Sequence, residues 1–141
     1  MPSDIATSQR MYSLAQITTA SLIGGPLPAC ILIARNWRHL GNRTQHMWWI
    51  IGGIAGDIIV LAIVLLVTPE RLPPYVLPVA YTIALRETVK RLQGKAITDY
   101  RGAGGRLGSW WAVVGLGILG LILVFALIFM LPASLIPSAR P

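Results

Sequence analysis

Long uncharged runs alternate along the chain with short basic stretches, and the alternation predicts helices that cross a membrane. Residues 17–34 carry no charge and just reach the length of a span, which takes about 20 residues for roughly 30 Å of hydrocarbon. Gly24, Gly25, Pro26 and Pro28 sit near the middle of this run, and two prolines beside two glycines kink or break a helix there. Residues 35–46 read as a basic loop. The second span is residues 47–68, opened by Trp48 and Trp49 at interface depth and closed by Pro69. A neutral turn follows at residues 69–74.

Residues 75–97 begin apolar and end basic. Leu77, Tyr81, Leu85, Val89, Leu92 and Ala96 recur at three-or-four spacing, which predicts one continuous amphipathic helix. Its apolar half alone is too short to cross. At about 1.5 Å per residue the whole helix is long enough, with Arg86 snorkelling to the headgroups. Gly94 and the stretch with Gly102, Gly104, Gly105 and Gly108 then read as a flexible loop. Trp110 and Trp111 open a final leucine-rich span at residues 110–136. Residues 1–16 remain as a short extramembrane head and residues 137–141 as a tail. The expected fold is an all-α integral membrane bundle of four helical segments, the first broken and the third amphipathic.

Composition agrees: 55% of the residues are hydrophobic, 12% are charged and the mean hydropathy is +0.66, too apolar for a soluble domain. The net charge of +7 would suggest nucleic acid in a soluble protein. Here the excess is confined to Arg35, Arg38 and Arg43 and to the stretch from Arg86 to Arg106, without the interleaved aromatics of a single-strand binder. Such placement is what the positive-inside rule produces, and no nucleic-acid partner is expected. If the amphipathic helix crosses, both basic stretches face the cytoplasm. That favours four crossings of a bacterial cytoplasmic membrane with both termini periplasmic. The alternative is three spans with the amphipathic helix lying in the interface.

A single cysteine excludes a disulfide framework and a cysteine zinc site, and two histidines with five scattered acids offer no metal-ligand spacing. Leu27, Pro28, Ala29 and Cys30 resemble a lipoprotein cleavage box. A proline inside the box, glycines in the core before it and an apolar stretch after it oppose lipidation, and Cys30 reads instead as a small buried side chain.

Several short motifs carry a resemblance. Gly24, Gly25, Pro26 and Leu27 are followed by Arg35 and Asn36; Tyr75, Val76, Leu77 and Pro78 precede Tyr81, Thr82, Ile83 and Ala84. Leu92, Gln93 and Gly94 then lead to Ser109 and Trp110. In these the chain resembles a family of small bacterial inner-membrane proteins to which no reaction is assigned. The resemblance implies a multi-span envelope protein and nothing about chemistry. Asp57 matches no position of that pattern.

Asp57 is nevertheless the sharpest candidate, because a carboxylate at the centre of a span costs about 2.5 to 3.5 kcal/mol on insertion scales. One reading is a proton or cation site of a homo-oligomeric transporter or channel, completed by backbone exposed at Gly24, Gly25 and Pro26. The other is a hydrogen bond that fixes packing, through Thr18, Thr19, Ser21 or Thr82. Gly52 and Gly56 form a small-xxx-small pair for close helix approach. Arg86, Lys90, Arg91, Lys95, Arg101 and Arg106 are candidates for anionic lipid headgroups or an acidic partner. Gly102 to Arg106 lacks the Lys-Ser/Thr step of a phosphate loop. His39 and His46 have no acid near them in sequence, and no serine elbow or paired carboxylate appears, so catalysis and cofactors are not expected. The expected role is an accessory or structural subunit acting through helix contacts with itself or another membrane protein.

Overall fold

The computed structural model describes residues 10–66, 73 and 75–130. Among these the protein is all-helical, with α1 Leu14–Gly24, α2 Pro26–His39, α3 Arg43–Leu66, α4 Val76–Gly102 and α5 Trp110–Met130. The expected neutral turn at residues 69–74 lies almost wholly outside the described residues, as do residues 1–9 of the head, the ends of the second and final spans, and the tail.

The first expected span is two helices. Gly25 ends α1 and begins α2 at φ 89°, a backbone region that L side chains rarely adopt, and the chain reverses there. Tyr12, before α1, then lies beside Asn36 near the end of α2, so the two helices form an antiparallel hairpin with both ends at one face of the protein. Two prolines at the start of α2 suit this start, since Pro26 pre-sets φ and its missing N–H would have no partner in the first turn. The four expected segments thus become five helices because the break is a reversal and not a kink.

The two arms together extend beyond both ends of the uncharged run. Ser13 caps α1 in a capping box with Gln16, the Gln16 N–H donating to Ser13 Oγ and the Ser13 N–H to Gln16 Oε1. Arg35 to His39, expected in a loop, complete α2; Arg43 to His46 begin α3; only Leu40, Gly41 and Asn42 connect them. Gly94, expected in a loop, is inside α4.

The hairpin is the core. Ile17, Ala20, Ala29, Leu32 and Ile33 are fully buried, with Val89 of α4 and Val113 of α5 packed on them. Antiparallel to α2 runs α3, Gly53 lying against Leu27 and Cys30. On the other side α5 runs parallel to α1 and touches it through glycines: a Cβ on Gly24 would collide with the Gly117 carbonyl, and one on Gly120 with the Pro28 ring. Against both arms lies α4, Thr82 near the hairpin's tip and Gln93 near its base.

One end of the molecule gathers the connections. Met11 forms a parallel bridge with Leu107, and the Gly108 N–H donates to the Met11 carbonyl at 2.8 Å. The stretch before α1 therefore sits with the α2–α3 and α4–α5 loops. For residues 10–13, the described part of the expected head before α1, the placement differs from the expected one opposite the basic loops: Met11 is wholly buried and Tyr12 almost so, beside the α4–α5 loop.

Gly24→Ala should lower stability in detergent by about 1 to 3 kcal/mol through overpacking at the α1–α5 crossing. Gly115→Ala, where a Cβ meets nothing within 4 Å, should leave the thermal midpoint unchanged. Equal midpoints for the two variants would contradict the crossing.

Candidate functional site

Three places combine polar groups or cavities with named sequence features: the hairpin's tip, the cleft between α3 and α4, and the basic end.

At the tip, the amide accounting closes. A helix leaves its first N–H groups without internal partners, and at α2 these belong to Gly25, Pro26, Leu27 and Pro28. The prolines have none to offer. Gly25 donates to the Ser21 carbonyl at 3.0 Å, and Leu27 donates to Asp57 Oδ1 at 3.3 Å. Asp57 of α3 thus supplies from a neighbouring helix the cap that Gly25, lacking a side chain, cannot make. Of the residues grouped with Asp57 in the sequence, Gly25 lies beside it, Pro26 lies against Gly56, and Gly24 faces Gly117 of α5 instead. The arrangement differs from the expected one: the break leaves no donor free at the tip, since each available amide has an acceptor.

The hydroxyls expected as partners of Asp57 are used elsewhere. Thr18 and Thr19 donate to carbonyls of their own helix, Leu14 at 2.8 Å and Ala15 at 3.0 Å. Ser21 Oγ and Thr82 Oγ1 pair at 3.0 Å across α1 and α4, both buried. The sequence could not distinguish these hydroxyls from the Leu27 amide, because the choice follows from the hairpin's reversal.

The two glycines expected to act as a pair have different surroundings. Gly56 lies against Pro26, whereas Gly52 faces open space. Both border a cavity of about 460 Å³ between α3 and α4, floored by Pro26 and Cys30. Its α4 wall presents Ala80, Ala84 and Thr88, one residue per turn of a single face, flanked by the bulkier Leu77, Tyr81 and Leu85. Cys30 is buried in α2, its Cβ beside Gly53 of α3.

Basic residues divide into two groups. Arg86, Lys90, Arg91, Lys95, Arg101 and Arg106 are all exposed and are strung along α4 and the loop after it, where Lys95 pairs with Asp99 at 2.9 Å. From Arg86 to Arg101 the helix rises about 22 Å, so they form no single pocket. Arg10, Arg35 and Arg38 converge instead on a second cavity, of about 500 Å³, with Tyr12, His39 and Ser109. Sequence reasoning missed this group because Arg10 is remote from α2 along the chain; the Ser13–Gln16 capping box was the available signal that structure begins before residue 17.

The histidines are structural neighbours of other helices. His46 Nδ1 donates to the Ala34 carbonyl at 2.8 Å, tying the start of α3 to α2. His39 meets the Tyr100 ring edge-on with centroids 5.0 Å apart. Among the described residues no three of His, Cys, Asp and Glu converge as metal ligands would.

Asp57→Ala should cost about 1 kcal/mol of stability, the usual loss on removing a helix cap, whereas Asp57→Asn, which keeps an acceptor, should cost only a few tenths. Thermal unfolding in detergent measures both, and equal losses would show that the charge and not the acceptor matters.

Comparison of the chain with protein-family profiles, with curated proteins and with solved structures finds no match.

Proposed function

We propose that this protein is a small integral membrane subunit that receives a transmembrane helix of a partner, or of a second copy of itself, in the cleft between α3 and α4. Membrane residence is supported by α3 and α5, 24 and 21 residues long and apolar enough to cross, with only 6% and 17% of their apolar windows buried in the protein. A soluble protein keeps such helices inside. Trp48, Trp110 and Trp111 are exposed at the starts of these helices, where an aromatic belt would stand.

In this reading the basic end faces the cytoplasm. From it α3 crosses outward, α4 returns and α5 crosses outward again, while α1 and α2 enter and leave by the same face as a re-entrant hairpin. Three crossings replace the four expected, and the stretch before α1 lies inside. A non-crossing hairpin at membrane depth is tolerated where protein surrounds it, and α3, α4 and α5 provide that enclosure.

The observation that carries the functional reading is the cleft. Gly52 and Gly56 on one wall, and Ala80, Ala84 and Thr88 on the other, are small residues at helical spacing. In lipid, helices associate through close backbone approach and not through hydrophobicity, so small residues on facing walls mark a seat for a helix. A transport role for Asp57 draws less support, because one carboxylate oxygen is engaged in capping α2 and the neighbouring cleft is lined almost entirely by apolar groups.

Two experiments test this. In a Cys30→Ala background, single cysteines at Arg10, Gly41 and Gly104 should be labelled from the cytoplasmic side and one at Pro73 from the other. Labelling of Arg10 and Gly104 from opposite sides would refute the topology. Gly52→Leu and Ala84→Leu should each fill the cleft and weaken association by at least about tenfold, read by native mass spectrometry of gently extracted protein. Mass identifies the guest as a second copy or a foreign subunit. A monomer without companions, or assemblies unchanged by both variants, would overturn the reading.

A further inference from the structure

We propose that the cavity at the basic end, between the chain leading into α1, the last turn of α2 and the first turn of α5, is a binding site for a phosphate oxyanion held by Arg10, Arg35 and Arg38. The cleft between α3 and α4 plays no part in this proposal.

All three cations lining the cavity are arginines, which grip phosphate through a planar fork of donors where lysine offers only a point charge. Arg35 and Arg38 stand three residues apart on α2 and so share a face. Among the described residues none of the three has a carboxylate partner; the one ion pair there is Lys95 with Asp99, on α4. Like charges converging without a counterion repel one another, and an oxyanion between them would reverse the sign of that interaction.

The cavity is built on rigid supports. The Tyr12 backbone is fixed from both sides by the buried Asn36 amide, its N–H donating to Oδ1 at 2.8 Å and its carbonyl accepting from Nδ2 at 2.9 Å. Asn36 also donates to Gln93 Oε1 at 3.3 Å, and Gln93 to the Ile33 carbonyl at 3.2 Å. This network places Arg10, two residues before Tyr12, beside the end of α2. The Tyr12 ring packs so closely on Gly108 that any Cβ there would collide with it, and its hydroxyl accepts from Arg35 Nη1 at 3.2 Å. One guanidinium is thus oriented before any ligand arrives.

Two further features suit an anion. Ser109 and Ala112 line the cavity at the start of α5, where a helix presents unpaired amides and the positive end of its dipole. His39, also in the lining, has a buried Nδ1 without a hydrogen-bond partner among the described residues. At about 500 Å³ the space exceeds a bare phosphate and takes a phosphate with its ester substituent. Its position level with exposed Trp110 and Trp111 is the headgroup depth of a bilayer, so the phosphate can come from an acidic phospholipid or from a soluble phosphate monoester.

The test uses the full chain, delipidated in detergent, with glycerol 3-phosphate, short-chain phosphatidylglycerol and short-chain phosphatidylcholine as probes, followed by thermal shift and native mass spectrometry. Saturable stabilisation by phosphatidylglycerol but not phosphatidylcholine assigns the lipid source, and stabilisation by glycerol 3-phosphate alone assigns the soluble one. Arg35→Gln with Arg38→Gln should weaken the effective probe at least about tenfold. Lys90→Gln with Arg91→Gln, on exposed α4, should leave it within about twofold. Arg10→Gln lies outside every helix and should give a loss of its own even if the double variant folds poorly. Absence of stabilisation by every probe, equal stabilisation by phosphatidylglycerol and phosphatidylcholine, or binding that survives Arg10→Gln and the α2 double variant would overturn the site.

Discussion

Backbone amides inside an apolar layer must find acceptors within the protein, and in this chain that constraint falls hardest on the reversal at Gly25. A chain that turns back within the bundle leaves the start of a helix needing acceptors from its neighbours. Pro26 and Pro28 remove two donors, Ser21 accepts a third and Asp57 the fourth. An ionisable residue in the middle of α3 thereby has a structural reason to be there: it closes the tip of a helical hairpin packed beside it. The acid that looks most like a functional group is, in its contacts, the keystone of the core.

The opposite end of the hairpin is held by amide side chains and not by charge. Gln16 both closes the α1 capping box and donates to the Gly108 carbonyl at 2.6 Å, and Asn36 links the chain before α1 to α4. Fully buried amides of this kind are costly when unpaired and directional when paired, so they specify one arrangement of the loops. The same arrangement brings Arg10 to Arg35 and Arg38. A local electrostatic feature of the surface is therefore a consequence of buried hydrogen bonds beneath it.

Around this centre the outer helices are asymmetric. On their outer faces α3 and α5 are apolar and expose large side chains, including Ile58, Ile59, Ile122 and Phe129, as a lipid-facing surface does. Between α3 and α4 small residues alternate with bulky ones such as Trp49, Ile63, Leu77 and Tyr81, and a trough remains where the two helices do not close on each other. An enclosed hairpin beside an open, largely apolar trough gives the proposed accessory role a shape to act through.

Much of this was legible in the residues themselves. Helical class, the apolar runs that became α3 and α5, the continuity of α4 and the break at Gly24 to Pro28 all follow from composition, periodicity and the backbone chemistry of glycine and proline, which act locally. Tertiary structure decided the rest. Whether two helices joined by Gly25 continue or reverse depends on a single positive φ and on what packs against both arms, and that choice moved the chain before α1 to the basic end and changed four expected crossings to three in our reading. Which amide Asp57 caps, which wall Gly52 faces and which arginines share a cavity are relations between residues far apart in the chain. Such relations arise only when distant segments compete for the same buried partners, and no window of sequence contains both sides of that competition.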